Sequence, residues 1–273
     1  MAHTISLPQP AARVKSALST ALPPILVAPL ALSFWYLLSI TVYAGKGYLL
    51  PGPREVADAF VENGSTIMAA TLTTLKEAML GYLAAIGLGV LIAAILSQSR
   101  VLERSFYPYA VLLQTVPVVA VAPLIVLWFG YNDLSVIVIS LIISLFPIIN
   151  NTLLGLRSTS RTLVELFAMH HTSRVISFWK LRLPGALPSM MAGLKISAGL
   201  SVIGAIIGEF IIGSGNSQGG LGVQIIFAQG RMYTALLFAE VICATLLGFL
   251  FFSVVSLLGH VLLRNWHESA TAD

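Results

Sequence analysis

From Leu22 to Leu263 the chain reads as long apolar runs separated by short polar joins. Six runs stand out: Leu22–Tyr43, Ala69–Leu96, Phe106–Gly130, Leu134–Leu156, Met191–Gly213 and Ala235–Leu263. Each is longer than the roughly 20 residues a helix needs to cross a hydrocarbon core about 30 Å thick. Unbroken runs of this length predict helices, whereas a membrane barrel would show alternating segments of about ten residues. The second run opens on a polar turn (Thr71, Thr73, Thr74, Lys76, Glu77), so its part at lipid depth is nearer Ala78–Leu96. One join breaks the pattern. Between Arg157 and Ser189 lie Arg157, Arg161, Arg174, Lys180 and Arg182, the lone acid Glu165 and the adjacent His170 and His171. That stretch is too long for a turn and too polar to cross a bilayer.

Composition sharpens the class. Of 273 residues, 57% are hydrophobic and 10% charged, and the mean hydropathy is +0.91. A water-soluble domain needs far more charge to cover its surface, so the chain is an all-α membrane protein embedded in a lipid bilayer. The net charge of +4 does not point to nucleic acid, because the basic residues flank the apolar runs, where membrane topology explains them better. Cys243 is alone in an apolar run, so no intrachain disulfide is possible. The first twenty residues are too polar for a signal-peptide core, and the first run is about twice a typical h-region in length. Val42-Tyr43-Ala44 only loosely resembles a cleavage site, and the first run reads as an uncleaved span.

Lys and Arg in the joins set the expected orientation. With the N-terminus inside, ten of the fifteen basic residues lie inside and three outside (Lys46, Arg54, Arg231), while Lys76 and Lys195 fall within spans. This bias places both termini and the basic join in the cytoplasm.

Several spans carry special residues. Pro117 and Pro123 fall in the third, just after Gln114 and Thr115, and Pro147 in the fourth is followed by Asn150 and Asn151. A proline removes a backbone donor and clashes with the preceding turn. At membrane depth such breaks survive only where protein or a water-filled cavity covers the freed carbonyls. Broken helices with amides nearby fit a permeation path, though kinks buried in a bundle give the same pattern. Small residues recur at every fourth position in Gly81, Ala85, Gly89, Ala93, Ser97 and in Gly193, Ser197, Ser201, Ala205, with Gly204 and Gly208 beside the second ladder. Such stripes let backbones approach closely, and they predict packing of the second span on the fifth or across a dimer interface. Glu77, Glu209 and Glu240 sit near the outer ends of their spans, where acids act as interfacial or packing groups more readily than as a relay. Glu209, following its ladder, is the best functional candidate of the three.

From Glu165 to Pro184 the sequence resembles the cytoplasmic EAA loop of binding-protein-dependent ABC importer permeases. That loop has an acid, a glycine six residues on, and a Leu-Pro pair closing nineteen residues after the acid. Here the acid is Glu165 and the closing pair is Leu183-Pro184, but Leu166-Phe167 replaces the usual small pair and His171 the glycine. The resemblance covers roughly residues 50–255. Leu113-Gln114-Thr115-Val116-Pro117, Ala122-Pro123-Leu124, Trp128-Phe129-Gly130, Phe146-Pro147, Asn151-Thr152, Gly155-Leu156-Arg157, Gly208-Glu209-Phe210 and Gly219-Gly220-Leu221-Gly222 are similar to the nitrate/sulfonate/taurine branch. Permeases for pyrimidine precursors share that branch. The resemblance implies six transmembrane helices in a type I ABC importer transmembrane domain, with a coupling-helix loop at 157–190 between spans four and five. It implies a permease domain at 22–265 between short tails, 1–21 and 266–273. It also implies cytoplasmic ATPase subunits, an extracytoplasmic solute-binding protein and a homodimer in the cell membrane. Glu165, Leu166, Phe167, His170, His171 and Thr172 would then dock the ATPase. Gln114, Thr115, Pro117, Asn150, Asn151 and Glu209 would line the translocation path.

The loop's physics stands beside that resemblance. Leu163, Leu166, Phe167 and His170 fall on one face at helical spacing, and Arg161 and Glu165, one turn apart, can pair. A second helix is expected from Arg174 to Leu183, stopped by Pro184. Two short helices at the surface make a knob with an apolar face and a basic rim, and a helix lying in the headgroups is the plain alternative. Adjacent histidines on a helix point about 100° apart with no companion Cys or acid, so no metal is expected. No motif supports catalysis, and no cofactor is called for. The run Gly213–Gly220 lacks the Gly-Lys-Ser/Thr ending of a phosphate-binding loop and reads as an external loop. No Lys or Arg lies at mid-membrane, which favours a neutral or zwitterionic solute. The rival readings are an ion-gradient-driven carrier using Glu209 or Glu240, and a membrane scaffold.

Overall fold

In a computed structural model, residues 26–212 and 219–263 are described, and among them the chain is helical with no strand. The helices are α1 (Leu26–Ile40), α2 (Pro53–Glu62), α3 (Gly64–Ser97), α4 (Arg100–Thr115), α5 (Val118–Phe129), α6 (Asp133–Arg157) and α7 (Arg161–Met169). They continue as α8 (Arg174–Ile212), α9 (Leu221–Gly230) and α10 (Thr234–Leu263). Four of them, α3, α6, α8 and α10, are long and apolar enough to cross a membrane.

The third expected span is divided, and only one of its prolines divides it. Pro117 forces Val116 out of the helical region (φ −67°, ψ 123°) and becomes the N-cap of α5. Pro123 is accommodated inside α5, and Pro108 inside α4.

Pro184 does not stop the loop's second helix, contrary to the sequence-based expectation, and α8 runs unbroken from Arg174 to Ile212. A π turn at Phe178–Arg182 precedes the proline, with the Leu183 N–H donating to the Phe178 carbonyl. Widening the turn there relieves the clash a helical proline makes with the carbonyl four residues back. The fifth span therefore begins inside the polar join.

The glycines of the two small-residue ladders face α6, a partner the spacing did not single out. Both α3 and α8 pack most extensively on α6, and they also pack on each other, as expected of the second and fifth spans. A Cβ on Gly81 would fall 2.5 Å from Ser140 Oγ, and one on Gly89 would fall 2.8 Å from Ile148. On the other side, a Cβ on Gly193 would fall 2.7 Å from the Pro147 carbonyl and one on Gly204 2.7 Å from Ser140 Cα. These approaches admit hydrogen bonds between helices. Ser140 donates to the Ser201 carbonyl (2.9 Å) and Ser197 to the Ser144 carbonyl (2.7 Å). Tyr82 of α3 donates directly to the Leu194 carbonyl of α8 (3.1 Å). Close backbone packing and such bonds hold helices together where lipid removes the hydrophobic drive. Outside this triple layer, α10 packs on α8 and α9, and Trp35 of α1 stacks on Phe238 of α10. Phe249, Leu257 and Leu262 of α10 are exposed, as suits a face turned to lipid.

Candidate functional site: a lever-like loop and a capped helix junction

The polar join forms α7 and the first turns of α8. Ser160 is the N-cap of α7 and His170 its C-cap. The turn that follows satisfies the last carbonyls in two steps: the His171 N–H donates to Ala168 O (3.0 Å) and the Thr172 N–H to Phe167 O (3.2 Å). Thr172 Oγ1 adds a bond to the same Phe167 carbonyl (2.6 Å). This pairing is a Schellman closure, and it needs a left-handed residue at the first position beyond the cap. His171 takes that conformation, with φ +50°. Histidine thus takes a left-handed turn at the position where the EAA loop, which this join resembles, carries glycine. Ser173 then accepts the Ile176 N–H (3.3 Å) and starts α8.

The apolar face of α7 is divided between two surroundings. Leu163, Leu166 and Met169 are exposed, as are Glu165, His170 and His171. Phe167 and Val164 turn inward, half-buried, onto a groove behind the helix that also contains Gln98. Phe167 therefore does not share the outer face expected for it beside Leu163, Leu166 and His170; it props the helix from below. The side chain of Arg161, expected to pair with Glu165, lies outside the described side chains.

The expected path residues fall in two groups. Gln114, Thr115 and Pro117 are exposed at the break between α4 and α5, with Thr115 bonded to the Leu112 carbonyl (2.9 Å). Asn150 and Asn151 are half-buried on α6. Asn150 accepts the Tyr107 hydroxyl (2.8 Å), which ties α6 to α4. Asn151 donates to the Pro147 carbonyl (2.9 Å). Glu209 is 2% exposed and stands apart from both groups, at the junction of α3, α8 and α9.

Residues 85–265 match the family described as binding-protein-dependent transport system inner membrane component. The chain belongs to this family of ABC transporter permeases. The permease is 35% identical over 221 residues to a probable ABC transporter permease protein of Haemophilus influenzae, covering 81% of this chain and 88% of that protein. It is also 35% identical over 224 residues to the formylaminopyrimidine transport permease protein of Halalkalibacterium halodurans, covering 80% and 86% respectively. A crystal structure of an amino acid ABC transporter with histidines shares the fold at a TM-score of 0.58 and 17% identity, over 76% of this chain and 96% of that one. The permease is thus a multi-pass inner-membrane protein of the nitrate/sulfonate/taurine-type branch. Permease subunits of this kind are not themselves catalytic.

The junction at Glu209 explains a motif of the permease that composition alone leaves unexplained. Glu209 accepts the Thr74 hydroxyl (2.7 Å) on one oxygen and the Gly222 N–H (2.5 Å) on the other. Thr74 in turn accepts the Leu221 N–H (2.8 Å). Two of the four unpaired donors at the start of α9 are therefore capped by side chains of α8 and α3. The carboxylate also faces the positive end of that helix. A Cβ on Gly220 would collide with the Glu209 carboxylate, and one on Gly222 would fall 2.7 Å from Glu209 Cβ. Gly-Gly-Leu-Gly is thus the strip of main chain thin enough to lie on Glu209. Glu77 borders the same small cavity, of about 60 Å³. Thr74 and α9 escaped the sequence reading, because a threonine in a polar opening turn and a ten-residue apolar stretch carry no distinctive signal. Residues 213–218 of the glycine-rich run lie outside the described residues.

The left-handed backbone at His171 yields a prediction. That conformation costs a residue other than glycine about 1–2 kcal/mol, and glycine loses about 0.5–1 kcal/mol of the gain through chain entropy. His171→Gly is expected to slow hydrogen exchange at the His171-position and Thr172 amides two- to fivefold, read by mass spectrometry on the purified permease. Faster exchange would show that the histidine side chain, and not the turn, holds the loop.

Proposed function

We infer that the permease subunit forms the membrane part of an ABC importer for a small solute. We propose that it works as a homodimer of six-span chains, a permease domain at 22–265 between short tails at 1–21 and 266–273, with both termini cytoplasmic. The loop at 157–190 is the lever on which cytoplasmic ATPase subunits pull. One observation carries this reading: α7 presents Leu163, Leu166 and Met169 to the outside and is clamped at one end by the Schellman turn and held from below by Phe167. An apolar, rigid, outward-facing short helix beside a basic rim is a docking element for a protein groove. Glu165, Leu166, His170, His171 and Thr172 form the docked surface, and Phe167 braces it. The loop is continuous with both α6 and α8 at its ends. Closing of the ATPase pair therefore tilts those two helices together and switches the path between inward-open and outward-open.

The path runs between the two copies. Gln114, Thr115 and Pro117 face it from the α4–α5 break and Asn150 and Asn151 from α6, with Asn150 also tying α6 to α4 through Tyr107. Glu209 sets the outer end of the path by fixing α9, rather than by touching solute. An extracytoplasmic binding protein delivers the solute. The branch admits nitrate, sulfonate, taurine and pyrimidine-precursor types, and the lack of Lys or Arg at mid-span favours a neutral or zwitterionic solute, such as taurine or a pyrimidine precursor.

The decisive experiment is reconstitution in vesicles. Uptake is expected only when the permease is combined with an ATPase partner, ATP and a binding protein. Uptake by the permease alone on an ion gradient would overturn the proposal in favour of a carrier.

A further inference from the structure

A groove runs behind α7, between the loop and the ends of α3, α4 and α6. It consists of two adjoining cavities, of about 490 Å³ and 340 Å³, which share Gln98, Val164 and Arg182. Arg100, Arg157, Arg174 and Arg182 all line it, from the start of α4, the end of α6 and the first turns of α8. Against these four cations stand two acids: Glu103, ion-paired with Arg157, and Glu165 at the groove's edge. Among the described residues, Arg100, Arg174 and Arg182 meet no carboxylate at ion-pairing distance. Thr159 Oγ1, which borders the groove, is buried with no hydrogen-bond partner among the described residues.

We infer that this groove is a binding site for a phosphate-bearing anion, held by Arg100, Arg174 and Arg182 with Gln98 and Thr159. Like charges gathered in one concavity repel, and an anion relieves the repulsion while using the fork of donors that each guanidinium presents. The spare hydroxyl of Thr159 supplies one more donor. Membrane topology alone explains an excess of arginine on one side of a bilayer. It does not explain why the arginines converge on a cleft with an unused hydroxyl. The inference rests on the inward orientation proposed for the loop, which sets the groove at the level of the inner headgroups. There an anionic phospholipid and a free phosphate are the two sources of the same chemistry. A filled groove wedges α7 away from the ends of α3 and α4, so the anion would set the angle of the lever.

The test uses the full-length permease in mild detergent, without its ATPase. Native mass spectrometry reads retention of short-chain phosphatidylglycerol against phosphatidylcholine, and a second arm titrates inorganic phosphate and reads the melting temperature. One phosphatidylglycerol per chain is expected, in about tenfold preference over phosphatidylcholine. Each basic residue is worth about fivefold in attraction to an anionic headgroup, so Arg100→Gln with Arg182→Gln should weaken retention about 25-fold. Thr159→Val, which changes no charge, should weaken it a few-fold and serves if the double variant fails to fold. Arg54→Gln, expected on the other side of the membrane, should have no effect. A phosphate-dependent rise in melting temperature without lipid preference supports the site and assigns it to free phosphate. Equal retention of both lipids with no phosphate effect overturns the inference, as does an equal loss in the Arg54 variant. Because no ATPase is present, either failure leaves the coupling role of α7 standing. Loss of ATPase docking, conversely, leaves retention measurable.

Discussion

Glu165→Arg is expected to abolish ATP-driven uptake while leaving the permease folded and in the membrane. Glu165 is exposed in the second turn of α7, beside Leu166, at the centre of the surface proposed to meet the ATPase. Breaking a charge pair that becomes buried on association costs about 2–5 kcal/mol, and a like charge in its place adds repulsion. Retention of the ATPase should therefore fall by a hundredfold or more, measured as co-purification, with uptake at background. Glu165→Gln keeps the size and polarity of the side chain, so it should retain part of the activity. The substitution touches no interior contact, and the melting temperature of the isolated permease should stay within about 2 °C of the parent. Full uptake by the arginine variant would remove α7 from the coupling mechanism.

Glu209→Ala should act through stability. The carboxylate is 2% exposed and holds the Thr74 hydroxyl and the Gly222 N–H. Without it the buried Gly222 N–H is stranded at a cost of about 1–3 kcal/mol, while the Thr74 hydroxyl falls back on the Ala70 carbonyl (3.2 Å), and the void left by the side chain costs about 2 kcal/mol more as the packing of α9 on α8 and α3 loosens. A total of about 3–5 kcal/mol corresponds to a fall of roughly 10 °C in melting temperature for a chain of this size, read by thermal aggregation of the detergent-solubilised permease. Glu209→Gln keeps one acceptor oxygen and should fall about half as far. Thr74→Val, which removes the relay to Leu221, should lie between the two. A normal melting temperature for the alanine variant together with lost transport would turn the assignment round and make Glu209 a path residue.

Much of the molecule follows from one dimension of information, because a bilayer imposes its thickness on every segment that crosses it. Four of the six apolar runs contribute helices long enough to span. The polar join becomes the short outward helix α7 that its amphipathic spacing suggests. The extended break at Val116–Pro117 follows from proline chemistry, which acts on its immediate neighbour. Pro123, Pro147 and Pro184 carry the same local penalty and are absorbed, in the last case behind a π turn whose position no residue type announces.

What the sequence by itself determined is whatever depends on a residue and its chain neighbours: apolar length, helix period, the two ladders of small residues, and the acid-to-proline spacing of the loop. Only the tertiary structure decided which surfaces those features meet. A stripe of glycines and serines states that another backbone comes close, and says nothing about whose, so α6 could not be picked out as the partner of both ladders. Thr74 and Glu209 are 135 residues apart, and their joint capping of α9 exists only once three helices have met. Hydrophobicity is carried by each residue alone, whereas hydrogen bonds and close approach belong to pairs. The pairs that matter here are distant along the chain.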